Sequence, residues 1–464
     1  MGVRAFLMAA AVGIAGLVPA SASFGETLAD AMVAAYKNSK LLDQNEALLR
    51  AQDENVAQAV AKLRPVVSFV AQSDYGWSDA PGLLGRTETE GLVNTVRLAA
   101  ELTLLDFGRN RLGVEVAKET VLATREALRG LEQQVLLSAV QAYVEVRLQQ
   151  EILALRQNNV RLISQELDAS KDRFDVGEVT RTDVALAEAR LAAAQSGLAA
   201  AQGDLTVARE RYKAVTGNYP GNLAALPPLP ATARNIEDAR RIALSTHPTV
   251  RQKQRQVTVS ELSVEAAKAG FRPTVVGSAA LSTNPGAGDD ERQESAAVGI
   301  QLRQTLYAGG ALSSGYRAAV AQRDAARADL AQSAITVAEN VGVAWSRVEV
   351  AQASIAAGDL QIRAAETAFN GVREEATLGA RTTLDVLDAE QELLDARATR
   401  ATAVAQRYVG VYDVLATMGL LTVEHLGLGV PTYDPSVYYN AVKTAPATSP
   451  QGKKLDRILE KIGN

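Results

Sequence analysis

Leu63-Arg64-Pro65 returns later in the chain as Phe271-Arg272-Pro273, and the residues around the two tripeptides follow one plan. Each tripeptide ends a helix-forming stretch and precedes an alternating, β-like run. From Pro65 to Pro273 is a step of 208 residues. Past the β-like run the step becomes 202, so that Gly108 falls on Gly310, Tyr143 on Trp345, Gly177 on Gly379, Asp183 on Asp385, Glu188 on Glu390 and Gly217 on Gly419. The change of register lies between Pro65 and Leu104, where a loop absorbs it. An ordered series at constant spacing is an internal duplication, and it decides the fold before any single element is assigned.

The two copies are expected at 23–226 and 227–420. Each begins with helix formers, over about 27–64 and 235–271. Two strands follow in each, over about 66–77 and 92–105 and then over about 274–283 and 295–307. A long helix, a glycine turn and a returning helix close each copy, over about 109–174 and 182–216, then 310–376 and 382–418. No proline occurs between Pro81 and Pro220, or between Pro285 and Pro431. Proline inside a helix costs about 3 kcal/mol, so its absence is what very long helices need. An unbroken helix from Arg109 to Arg173 would run about 100 Å, longer than any compact globular core. The returning helix is crowded with alanine, including Ala185, Ala187, Ala189, Ala192, Ala193, Ala199 and Ala200. Small residues let helices approach along several seams, as in a cylinder, where a two-stranded coiled coil shows one stripe of larger residues.

The first residues point away from the cytoplasm. Arg4, the apolar run Ala5 to Val18 and the small residues Ala20-Ser21-Ala22 read as a secretory signal peptide over 1–22. That run is too short to span a membrane, and nothing later offers the roughly 18 apolar residues of a helical span. The 464 residues contain no cysteine, which excludes disulfides, thiolate chemistry and an acylated-cysteine anchor. The two histidines, His247 and His425, stand far apart without partners and are read as surface or packing residues. A net charge of −5 supplies no basic field for nucleic acid. No catalytic cluster, cofactor motif or metal-ligand set is expected, and the chain is not read as an enzyme.

The strands alternate. Leu92, Val96, Leu98, Ala100, Leu102 and Leu104 share a face broken by Asn94, while Thr95, Arg97, Glu101 and Thr103 share the other. In the second copy Val298, Ile300 and Leu302 oppose Gln301 and Arg303, and Tyr75 and Trp77 suit an interfacial aromatic belt. Strands of about 10 residues, apolar outside and polar inside, are what a transmembrane barrel needs. A soluble sandwich face alternates in the same way; the signal peptide and the very long helices favour the membrane. Four strands cannot close a barrel in lipid, because open edges leave backbone groups unpaired. Three copies supply twelve, so the membrane reading requires a homotrimer.

Several motifs now accumulate in order: Thr216-Gly217-Asn218-Tyr219, Leu306-Tyr307-Ala308-Gly309-Gly310 with its counterpart Leu105-Asp106-Phe107-Gly108, and the run from Leu378-Gly379 through Asp385-Val386-Leu387-Asp388-Ala389. Across nearly the whole mature chain, to about Gly419, the sequence resembles the TolC family of outer-membrane efflux and secretion channels. The resemblance implies a mainly α fold with a membrane β-barrel portion. It further implies a trimeric twelve-stranded barrel in the outer membrane of a Gram-negative bacterium, continuous with a helical barrel in the periplasm. It implies docking to a periplasmic adaptor and an inner-membrane transporter, with cargo of either drugs or secreted proteins.

In the family the aspartates matching Asp385 and Asp388 line the periplasmic constriction. Their i, i+3 spacing also puts both carboxylates on one helix face, where threefold symmetry stacks two acidic rings that favour cations. A solvated acidic face has the same spacing. Arg381 matches a family arginine that holds the aperture closed, while the family's latch tyrosine is replaced by Ala376. The turns Val176-Gly177 with Thr182-Asp183, and Leu378-Gly379 with Thr383-Asp385, are expected at the periplasmic tips. Glycine there fits the left-handed residue after a helix, and Thr or Asp caps the next helix; adaptor docking at these residues is implied by the family. Residues 421–464 fall outside the repeat. Pro431, Pro435, Pro446 and Pro450 predict an irregular wrap, with a basic tail from Gly452 to Lys461. The rival reading is a soluble periplasmic coiled-coil scaffold or adaptor, which explains the helices but not four alternating segments at matching places.

Overall fold

The computed structural model describes residues 25–82, 85–284 and 293–445, together with Lys453 and Arg457. The expected signal peptide lies outside these residues, as does the basic tail apart from Lys453 and Arg457, which are helical. Among the described residues the first copy runs α1 (Leu28–Asn38), α2 (Lys40–Ala61), β1 (Val66–Gly82), β2 (Gly85–Leu105), α3 (Arg109–Asp175) and α4 (Arg181–Thr216). The second runs α5 (Ile236–Thr246), α6 (Pro248–Ala269), β3 (Thr274–Asn284), β4 (Gln293–Arg303), α7 (Ala311–Thr377) and α8 (Thr383–Thr417), and α9 (Pro435–Val442) follows. The two long helices have 67 residues each, and the pairs α1/α5 and α2/α6 also match, at 11 and 22 residues.

Each opening helix, expected as one element, is two. Ser39 N-caps α2 by accepting from the Leu42 amide at 3.3 Å. In the second copy Pro248, at the first position of α6, has no N–H to continue α5 and is suited to a helix start. His247 caps that start through Nδ1, which accepts from the Thr249 amide at 3.2 Å.

The sheet order is β1-β2-β3-β4, antiparallel throughout. Phe69 lies opposite Leu98, Leu98 opposite Leu281, and Leu281 opposite Ala296. Val67, Ala100, Ala279 and Val298 form the next row on that face. On the other side of the Phe69 row, Val70, Arg97, Ser282 and Ser295 form a more polar row on the opposite face. Val298 is 88 % exposed and Ile300 75 %; such a contiguous apolar surface marks an interaction face, since soluble monomers rarely leave one bare. β1 and β2 are longer than expected, and β4 ends at Arg303 rather than near 307. β2 pairs with β3 only from Val96 onward, so its first part and the outer half of β1 project as a two-stranded ribbon carrying Tyr75 and Trp77.

The main core sits midway along the long helices. Leu28, Met32, Leu136, Val140, Tyr143, Tyr212, Leu223, Leu415 and Leu421 are buried there, from both copies and the chain beyond α8. Each fully buried large apolar side chain contributes about 1.5–3 kcal/mol. Tyr143 is fully buried, and its hydroxyl donates to the carbonyls of Glu26 at 3.0 Å and Ala224 at 2.8 Å. The C-terminal segment packs against this belt and against α2 and α3 beside it. The Val423 amide donates to Glu132 Oε1 at 2.7 Å, Tyr438 donates to Glu54 Oε1 at 2.8 Å, and the Arg125 guanidinium lies 5.2 Å from the Tyr439 ring centroid.

Candidate functional site

Below the belt the chain forms two hairpins, α3–α4 and α7–α8, whose turns are built alike. α3 ends on Val176, and the Gly177 amide donates to the Phe174 carbonyl at 3.0 Å while the Glu178 amide reaches the Arg173 carbonyl at 2.9 Å. α7 ends on Leu378 with the same two bonds, from Gly379 to Ala376 at 3.1 Å and from Ala380 to Glu375 at 2.9 Å. Both are Schellman ends, which place the residue after the cap in the left-handed region. Gly177 has φ of 82° and Gly379 of 76°. Val176 is 72 % exposed and Leu378 83 %, so each turn presents one apolar side chain to solvent.

α4 starts at Arg181, one residue before the expected 182, and α8 at Thr383, one residue after the expected 382. The N-caps are Thr180 and Thr382, not Thr182 and Thr383. Each cap threonine and the aspartate three residues on form a capping box, a Thr-x-x-Asp pattern legible in the sequence. Asp183 Oδ2 accepts from the Thr180 amide at 2.8 Å and from its hydroxyl at 2.7 Å. Asp385 Oδ2 accepts from the same groups of Thr382, each at 2.9 Å. The Thr180 hydroxyl bond, reinforced by its amide, holds the Asp183 carboxyl below the usual range. For Asp385 the larger effect is the Thr382 amide, then its hydroxyl. Thr182 stays exposed on the first turn of α4, whereas Thr383 is buried with its Oγ1 3.4 Å from Ser170 Oγ. Thr383 is therefore a packing residue between α3 and α8, not part of the outer tip surface.

The aperture candidates divide. The Asp385 carboxylate folds back on its own helix start. Asp388 accepts from Arg190 of α4 at 2.6 Å. Arg381 donates through Nε to Glu375 Oε2 at 2.9 Å, the last turn of the same hairpin's α7, and that bond raises the guanidinium further above its ordinary value. Sequence reading missed Arg190 and Glu375. Arg190 stands 198 residues from Asp388, and its counterpart in the second copy is Glu392, so neither local pattern nor the duplication points to the pair.

A sheet with one broad apolar face, joined to two helices about 100 Å long, each paired with a returning helix about half that length, defines a membrane-seated duct with a helical stalk. The chain belongs to the outer membrane efflux protein family, whose pattern matches residues 32–218 and 239–419. This is a family of outer-membrane channel proteins with a helical periplasmic extension. It is 35% identical over 440 residues to the outer membrane efflux protein BepC of Brucella suis, covering 94% of this chain and 95% of that protein. It is 26% identical to the alkaline protease secretion protein AprF of Pseudomonas aeruginosa, covering 72% of each. The Campylobacter jejuni CmeC outer membrane channel superposes with a TM-score of 0.75 at 16% identity, over 90% of this chain and 89% of that one.

Proposed function

We propose that three copies of this chain close one twelve-stranded barrel in the outer membrane above one helical tunnel. The assembly is an exit duct that takes substrates from an inner-membrane transporter through a periplasmic adaptor. The observation that carries this reading is the sheet: its edge strands, β1 and β4, pair on one side only, and its face is apolar from Val67 to Leu302. In lipid an open edge strands its amides and carbonyls without water, and edge-to-edge closure of three sheets satisfies them. The helices offer a matching seam, since Val343 and Val350 of α7 stand one heptad apart and are 44 % and 65 % exposed. The bare Val176 and Leu378 at the tips are the anchors on which an adaptor would seat.

The reading extends to both kinds of cargo that the relatives' names carry, efflux and protease secretion, because the duct supplies a path and its inner-membrane partner the selection. Single-channel recording in a planar bilayer tests it, with wild type beside Asp385→Asn/Asp388→Asn. A small cation-selective conductance that loses selectivity in the double variant is expected. Folded, inserted protein without conductance would favour the scaffold reading, as would release from outer membranes by carbonate or urea washing.

A further inference from the structure

Glu390 lies on α8 two residues past Asp388, yet it faces the opposite way. It is 5 % exposed, and Asn159 of α3, itself 3 % exposed, donates Nδ2–H to its Oε1 at 3.0 Å. The space beside it is about 30 Å³, walled by Leu155, Leu162, Phe369, Leu393 and Leu394. That is room for about one water and far short of a carboxylate's hydration shell. Its counterpart in the first copy, Glu188, is exposed, so the duplicated frame does not require a buried acid here.

The charged groups around it do not neutralise it. On α3, Arg161 donates to Asn158 at 2.6 Å, and Glu166, which accepts from Arg173 at 3.0 Å, adds negative potential. On α8, Arg397 lines the same space but donates to Glu366 of α7 at 3.2 Å. Arg373 of α7 acts on it only at a distance. One neutral donor is left to hold a buried carboxylate, which favours its protonated form.

We propose that Glu390 and Asn159 form a proton-operated clasp between the α3–α4 and α7–α8 hairpins, shut when Glu390 is protonated and loosened when it is ionised. The proposal rests on the channel reading only for its purpose; the clasp itself is a property of the α3–α8 seam. Burial, the largest influence, raises Glu390 to about 7 from an ordinary 4.5. The sign follows from that direction. Parting the hairpins hydrates Glu390 and returns it to its ordinary range, so the shut state binds the proton more tightly. The stabilisation of the shut state is complete below about 4.5 and is lost as pH rises through about 7.

The test uses the absence of native cysteine. Ser170, fully buried in the same seam, is replaced by cysteine in the full-length protein, and its labelling by a water-soluble maleimide is timed from pH 5.5 to 8.5. The same measurement on Ser170→Cys/Glu390→Gln gives a ratio in which thiol ionisation cancels. The ratio is expected to rise more than tenfold in favour of Glu390 between pH 5.5 and pH 8.5. Asn159→Leu, which keeps the acid but removes its donor, is expected to move the midpoint upward. A flat ratio, or a midpoint that Asn159→Leu leaves in place, overturns the clasp. Labelling does not depend on conductance, so a silent bilayer would count against the duct and not against the clasp.

Discussion

The Arg190 guanidinium sits 2.6 Å from Asp388 Oδ1 and ties α4 to α8 close to the tip. Both side chains are about half exposed, so the pair contributes at most about 1 kcal/mol to stability. Its larger effect is on charge. The expected acidic ring at Asp388 is offset by a cation of its own protomer. Arg190→Ala is expected to raise cation selectivity, and Asp388→Asn with Arg190 kept is expected to lower it below wild type. Reversal potentials across a salt gradient read both, and equal values for the two variants would remove Asp388 from the pore lining.

Arg381 and Glu375 form one unit across the α7–α8 turn. If the family role of the arginine holds, Arg381→Ala raises the resting conductance, and Glu375→Gln does so to a similar degree because it frees the same guanidinium. The double variant should add little to either single change. An Arg381→Ala channel with wild-type resting conductance would end the latch assignment.

Gly177 and Gly379 have room for a side chain, since nothing lies within 4 Å of an added Cβ at either position. The penalty is conformational, about 1–2 kcal/mol for an L-residue held left-handed. Leucine at both positions is expected to leave trimers intact on native gels while abolishing co-purification with an adaptor. Continued export by such a variant would reduce the tips to helix caps.

Asp53 of α2 is fully buried, and among the described residues neither carboxylate oxygen has a hydrogen-bond partner. Burial raises it to about 6 from an ordinary 3.8. A raised carboxylate stabilises the fold fully below its unfolded value and loses that contribution as pH climbs through the folded value. Asp53→Asn is therefore expected to raise the thermal midpoint at pH 8, by a stabilisation on the order of 2 kcal/mol, and to leave it unchanged at pH 4. Thermal scans at the two pH values check the difference.

Local chemistry was the legible part. The glycines of both tips, the strand parity that puts Phe69, Leu98 and Leu281 on one face, and the proline-free helices all follow from residues a few positions apart. The break before Pro248 was also written locally, in a proline that the helical reading ran through. Long-range pairing was not legible: Arg190 meets Asp388, and Asn159 meets Glu390, across about half the chain. Glu390 reads as a solvated acid beside Gln391 and Glu392, and only the approach of α3 encloses it.

Tyr143 fastens α3 to two main-chain carbonyls at mid-height, and from there the helix runs without proline to Asp175. It is a rigid strut with its fulcrum at the belt. The free arm is about 48 Å long, so a tilt of about six degrees at Tyr143 swings the far end by about 5 Å. Leverage of that size turns side-chain-scale motion at the belt into a displacement of about 5 Å at the α3–α4 turn.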